Sequence, residues 1–311
     1  MIRACAATAL LFVCGTALAQ TAIVANEKSG TVSLVNIASD EVVASIAAGG
    51  VPRGMAVSHD GRLLYVSDKS ANALRIVDLE KRALVDTIDL GESPEGVGIS
   101  PDGRWVVAAV EVSNSVAFVD TATGRLAFDV TTHGKNPEHA VFSPDGKWLY
   151  VSAEESDSVD VVDVERRAQI ASIQVGKRPR GIGFTPDGRR AYVACELANS
   201  VYAIDVASRA VLAAIPVGNF SNGIALRPDG ARVFVSNGRD GTVSVIDTQS
   251  NEVVATTVVG QRPWNMAVSP DGMKLYVANG RSNSVSVLDT HSYQKLRDIT
   301  VGELPWGVVI R

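Results

Sequence analysis

Apolar residues come along this chain in short bursts, and each burst ends at a turn. In the stretch after Pro263, Trp264 to Ser269 is a small-and-apolar run. Lys274 to Asn279 (KLYVAN) and Ser284 to Asp289 (SVSVLD) carry β-branched and aromatic residues, and Lys295 to Val301 completes the unit. Segments of this length and composition predict strands, the central two being the most deeply buried. Between the first two, Ser269-Pro270-Asp271-Gly272 predicts a tight turn. Proline presets φ, aspartate bonds nearby backbone, and glycine accepts a positive φ at little cost.

The unit recurs along the chain. Near-copies start at Gly49, Gly91, Gly134, Gly176, Gly218, Gly260 and Gly302, at intervals of 42 residues and once 43. Each glycine except Gly218 has a proline three residues on; Ser221 fills that slot in the exception. A period of about 40 residues with several short strands per unit indicates propeller blades. Ile23, Tyr65, Val107, Tyr150, Tyr192, Phe234 and Tyr276 mark seven equivalent second strands, while the tight turn occurs six times, with His59 replacing its proline in the first copy. The chain begins inside a second strand (Ala22 to Asn26) and ends on a first strand (Pro305 to Arg311). The expected fold is all-β: a seven-bladed β-propeller of four-stranded antiparallel blades, its last blade closed by joining the N- and C-terminal strands. Closure of this kind removes the raw edges of an open array. The one extra residue, between Asp120 and Gly134, is expected to lengthen an outer-edge turn. Glycines in the first strands (Gly54, Gly96, Gly98, Gly181, Gly183) fit backbones crowding at the axis.

Composition refines this picture at the ends and on the surface. Residues 1–19 carry Arg3, the apolar run Ala6 to Val13 and the small-residue signal Ala17-Leu18-Ala19, the pattern of a cleaved signal peptide. That predicts a single domain over 20–311, periplasmic or secreted after cleavage near Ala19, with no membrane span. Cys5 and Cys14 leave with the signal, so Cys195 remains alone and no internal disulfide is expected. The formal net charge is −5, and −6 without Arg3, a balance that disfavours nucleic acid as a partner. A monomer is expected.

The second-strand phrase stands here as YVSD, YVSA, YVAC, FVSN and YVAN, and resembles the YVTN-repeat β-propeller family over the whole of residues 20–311. ANEKSGTVSLVN, VGQRPWNMAVSPD and VGELPWGVVIR resemble more narrowly the seven-repeat group associated with pyrroloquinoline quinone (PQQ)-dependent alcohol catabolism. The resemblance implies an exported accessory protein of periplasmic quinoprotein oxidation. Its partner would be a small molecule or a quinoprotein dehydrogenase or cytochrome. The third copy departs from the phrase, reading VVAAV.

No catalytic motif is spelled out. His59, His133, His139 and His291 are scattered, and there is no CxxCH, GxSxG or phosphate loop. The tryptophan-docking motifs and calcium ligands of large quinoprotein dehydrogenases are also missing, so no bound cofactor or metal is expected. The residue after each proline slot varies instead: Arg53, Glu95, Glu138, Arg180, Asn222, Trp264 and Trp306. These are expected to line one mouth of the central channel, with Trp264, Trp306 and Arg53 on one arc and Glu95 and Glu138 facing them. His139 stands where most copies have glycine. Arg53, Glu95, Glu138, His139, Arg180, Trp264 and Trp306 are therefore the candidate ligand- or partner-binding residues, with none assigned a catalytic role. The turns between second and third strands, expected to open on the same face, carry Glu27, Lys28, Asp68, Lys69, Glu111, Glu154, Glu155 and Glu196, with Arg239 and Arg281 in the remaining two, and read as solvated loops. Cys195 reads as a small packing residue.

The reading that follows is a non-catalytic binding protein acting through the mouth. The alternative is a lactonase-like hydrolase using Glu95, Glu138, His139 and Arg180, since other seven-bladed propellers of similar repeat style act on sugar lactones. A third reading, a single-stranded DNA-binding propeller stacking bases on tryptophan and arginine, is opposed by the acidic balance.

Overall fold

The computed structural model describes residues 20–311; the signal-peptide assignment of residues 1–19 lies outside them. The described residues form seven four-stranded antiparallel sheets. The inner strands, in ring order, are Pro305–Ile310, Pro52–Val57, Pro94–Ile99, Pro137–Phe142, Pro179–Phe184, Ser221–Leu226 and Pro263–Val268. Among the described residues the only helical element is the 3₁₀ turn Glu154–Ser156. No helix among them is long and apolar enough to cross a membrane.

Ring closure occurs as expected. Thr21–Asn26 pairs on one side with Thr31–Asn36 and on the other with Pro305–Ile310, with Ile23 opposite Val309. Backbone bonds between Thr21 and Arg311 extend that ladder. The stretch Lys274–Asn279 runs in register with Ser284–Asp289, Tyr276 facing Val287. Gly272 N donates to Ser269 O at 2.8 Å with glycine φ at 74°, as the turn residues demand.

The core lies between blades. Tyr276, Val285 and Val287 pack against Ala22, Val24 and Val308 of the neighbouring blade. Tyr150, Tyr192, Tyr276 and Phe234 are fully buried, each stabilising its contact by about 1.5–3 kcal/mol. At the Tyr276 seam the polar tips are satisfied, Tyr276 Oη donating to Asp40 Oδ1 at 2.6 Å and Lys274 Nζ to Asp40 Oδ2 at 2.8 Å, whereas the buried Tyr150 hydroxyl has no hydrogen-bond partner.

Two details bear on the site. Inner strands slip register after their first residue: Pro52 pairs with Asp68, but the next ladder pair is Met55 with Val66. Freed from the ladder, the residue after the proline turns its side chain into the mouth. The extra residue is not in an outer turn. The turn at 121–124 has the same four residues as its counterparts at 79–82 and 164–167. Instead, the crossing from the rim to the inner strand spans 132–136, where others take four residues such as 90–93. The insertion is absorbed there because Gly134 N reaches Asp160 Oδ2 at 2.7 Å and His133 N reaches Gln169 Oε1, anchors that hold a longer crossing.

Candidate functional site

Glycine at the axis has the expected cause. A Cβ on Gly54 would come within 2.3 Å of Glu95 O, so adjoining inner strands touch backbone to backbone. Around this tight ring the post-proline side chains meet a second set. In each blade the first residue of the turn after the second strand donates its N–H to the carbonyl just before the proline slot. The pairs include Lys69 to Val51, Glu111 to Ser93, Glu154 to Asn136 and Glu196 to Arg178. That bond places Glu196 beside Arg180, sixteen residues away in sequence.

The two sets interlock into a charged network. Arg53 Nη1 donates to Glu95 at 2.6 and 2.8 Å, and its Nε to Glu27 at 3.1 Å. Lys69 Nζ bridges Glu95 at 2.5 Å and Glu111 at 3.0 Å. Arg180 reaches Glu138 at 2.5 Å, Glu154 at 3.0 Å and Glu196 at 3.2 Å. Arg178 also pairs with Glu154 and Glu196, and Arg262 with Glu196 at 3.0 Å. Glu95, Glu138, Glu154 and Glu196 are all buried. The carboxylate oxygens of Glu95, Glu111 and Glu138 lie within 4.8 Å of one another, the donor set that could accept a divalent cation. Lys69 and Arg53 already neutralise part of that set.

Six glutamates thus face five cations, and the imbalance falls on one carboxyl. Glu138 is pushed up to about 8, by burial first and then by Glu95, Glu154 and Glu111, against the pull of Arg180. Glu111 is moved the other way. Despite its partial burial, the Ser93 hydroxyl and Lys69 hold it below the ordinary glutamate value. Two neighbouring carboxyls are therefore prepared for opposite roles, one holding a proton and one without.

The structure divides the remaining candidates. Trp306 is only 8 % exposed, and its ring stacks on His139 across the axis, with centroids 5.8 Å apart and planes at 12°. The Trp264–Trp306–Arg53 arc is consequently not one stacking surface. Trp306 faces inward, Arg53 is held by Glu95 and Glu27, and Trp264 lies over Gly280, where a Cβ would meet its ring at 2.6 Å. His139 and Trp306 cap an axial cavity of about 140 Å³, lined also by Met55, Val97, Met266 and Val308. Burial, with Arg180 nearby, pushes His139 down to about 4, so its ring is neutral. Neither ring nitrogen makes a hydrogen bond of good geometry; the Asn265 side chain approaches the ring and favours its charged form, but burial outweighs it. Glu138 and His139, adjacent in sequence, belong to different environments and make no acid–base pair. Burial pushes the Cys195 thiol up to about 12, consistent with a packing residue.

Sequence reasoning set Lys69, Glu111, Glu154 and Glu196 on the mouth face but read them as solvated loop charges, missing their pairing with the post-proline residues. The signal available was the constant spacing of sixteen residues from the post-proline slot, repeated in each full copy.

The family described as lactonase, 7-bladed beta-propeller, matches residues 86–173 and 165–300. A YNCE-like beta-propeller family matches residues 2–100. No curated protein matches the sequence. Among solved structures, a chain of Kuenenia stuttgartiensis hydrazine synthase superposes with a TM-score of 0.81 at 24% identity, covering 87% of this chain and 92% of that one. A functionally unknown protein from Desulfotomaculum acetoxidans gives 0.80 at 19% identity, over 93% and 98%. A candidate 6-phosphogluconolactonase from Bacteroides uniformis gives 0.79 at 21% identity, over 94% and 100%. At these identities the superpositions speak for the fold.

Proposed function

This chain belongs to the lactonase family of seven-bladed β-propellers, and we propose that it hydrolyses a cyclic ester at the charged mouth. The observation that carries this reading is the Glu95–Glu111–Glu138 group beside Lys69, Arg53 and Arg180, with Glu111 ionised and Glu138 holding its proton. In the proposed reaction the Glu111 carboxylate takes a proton from water as the water oxygen attacks the ring carbonyl carbon. The carbonyl oxygen becomes an oxyanion stabilised by the Lys69 ammonium and the nearby guanidinium groups. Collapse breaks the ring C–O bond, Glu138 gives its proton to the departing alkoxide, and solvent returns the proton from Glu111 to Glu138. One water and one lactone give one hydroxy acid. His139 is left out of the chemistry, being neutral and stacked on Trp306.

The test is ring opening of five- and six-membered lactones, followed by proton release. Glu111→Gln and Glu138→Gln should each slow turnover by roughly 10²-fold or more, the scale of a lost general acid or base. Equal turnover in the wild type and both variants would overturn the assignment.

A second reading keeps the protein as an exported, non-catalytic accessory of PQQ-dependent alcohol oxidation, binding a small molecule or a dehydrogenase or cytochrome. One observation favours it: each glutamate of the mouth already has an arginine or lysine within bonding distance, an arrangement suited to a rigid binding rim. Absence of lactone turnover, with a dehydrogenase or cytochrome co-purifying, would select it.

A further inference from the structure

The mouth has a gap on one side. Two blades place glycine where the others place Glu27, Lys69, Glu111, Glu154 and Glu196: Gly238 N donates to Phe220 O at 2.8 Å, and Gly280 N to Arg262 O at 2.9 Å. Over Gly280 the space is taken by the Trp264 ring, but beside Gly238 a pocket of about 450 Å³ opens, its walls including Phe220, Arg239, Arg262 and Arg281. Arg239 and Arg262 lie over the Phe220 ring, at 5.8 and 5.4 Å from its centroid. That contact fixes the direction of two guanidinium forks. Asp240 lines the same pocket, its carboxylate accepting from Asn219 N at 2.7 Å and Nδ2 at 2.9 Å, so one carboxylate stands there against three arginines.

The cations here differ from those of the charged network. Arg53, Lys69, Arg178 and Arg180 each pair with glutamate. Among the described residues, no carboxylate lies within ion-pair distance of Arg239 or Arg281, although the chain as a whole is acidic. Arg262 belongs to both regions through Glu196, and Trp264 lies between them, 6.0 Å from the Arg262 guanidinium.

We propose that this pocket binds the oxyanion group, carboxylate or phosphoryl, of a small organic molecule through Arg239, Arg281 and Arg262. Guanidinium forks match both groups in geometry, and an aromatic base that holds them in place lowers the entropy cost of gripping the anion. The site stands apart from the Glu95–Glu111–Glu138 group and does not depend on lactone hydrolysis.

The experiment is calorimetric titration of the protein over residues 20–311 with malonate, benzoate and inorganic phosphate at constant ionic strength. Trp264 fluorescence serves as a second readout. Saturable binding of at least one probe is expected, and the preferred probe tells a carboxylate site from a phosphoryl one. Arg239→Gln and Arg281→Gln should each weaken it about tenfold, as loss of a charge-assisted hydrogen bond does. Glu138→Gln should bind as the wild type does, which separates this site from the mouth chemistry. Trp264→Phe should abolish the fluorescence change and keep the heat. No saturable heat with any probe would overturn the proposal, as would equal binding in the Arg239→Gln/Arg281→Gln double variant.

Discussion

Glu111 and Gly280 hold the same place in two repeats, each bonded through its N–H to the residue before a proline slot. Around Glu111 the mouth is filled: carboxylates and cations alternate from Glu27 to Arg262, Glu95, Glu138 and Glu196 buried while Lys69 and Arg262 reach solvent. On the arc of Gly280 the charged side chain is missing: an indole folds over the glycine, and beside the equivalent Gly238 arginines face a pocket. The backbone is common to both arcs, so the difference is carried by side chains alone. In a ring of repeats the fold is secured by what the copies share, and each copy's variable slots are free to build a site.

The sharpest break between the arcs should be in stability. Arg180→Ala leaves Glu138, Glu154 and Glu196 short of a partner inside the protein. Removing one member of a buried ion pair costs on the order of 3–5 kcal/mol. Arg281→Ala, on the glycine arc, should stay within about 0.5 kcal/mol, as exposed substitutions do. Urea unfolding of both variants measures this, and equal losses would mean that the filled arc is no more integral than the glycine arc.

A smaller effect is expected from restoring a side chain at Gly280. Gly280→Leu puts a side chain where the Trp264 ring lies. Overpacking of this kind costs typically 1–3 kcal/mol, and the indole must turn outward to relieve it. The expected result is a red-shifted Trp264 emission with a modest loss of stability. An unchanged spectrum would place the indole elsewhere.

How much of this was legible in the sequence follows the same division. Strands such as Lys274–Asn279, the turn at Ser269–Gly272 and the closing strand from Pro305 could be placed because period, turn chemistry and β-branched residues all reported the same local geometry. Arg53, Glu95, Glu138 and Arg180 could be placed at the mouth for the same reason. Their pairing with the loop charges on that face could not. Glu111 and Glu196 read as loop charges because burial there depends on a backbone bond to the preceding crossing, which composition does not record. Trp306 and Trp264 look equivalent by position, yet one stacks on His139 and the other covers Gly280. That outcome is set by what stands across the axis, His139 for the one, and by a glycine sixteen residues on for the other. The extra residue near Gly134 was visible as a count, but its location depended on the anchors Asp160 and Gln169.

The finest difference between the arcs should appear in the pH dependence of stability. Glu138 titrates near 8 in the folded protein against an ordinary 4.5, so between those values the folded chain keeps a proton that the unfolded chain gives up. Stability from this group is complete below about 4.5, declines as pH rises, and is gone above about 8. His139 works in the opposite direction: folded near 4 against an ordinary 6.5, it costs stability only as pH falls below about 6.5. Between pH 6.5 and 8, therefore, Glu138 supplies a falling slope that His139 does not offset. Urea unfolding across that window should show stability declining in the wild type and a flatter profile in Glu138→Gln. The Arg239→Gln/Arg281→Gln protein should keep the wild-type decline, because its changes lie on the arc that holds no buried carboxyl. Parallel profiles in all three proteins would show that the proton is not held at Glu138, and the acid role proposed for it in ring opening would fall with it.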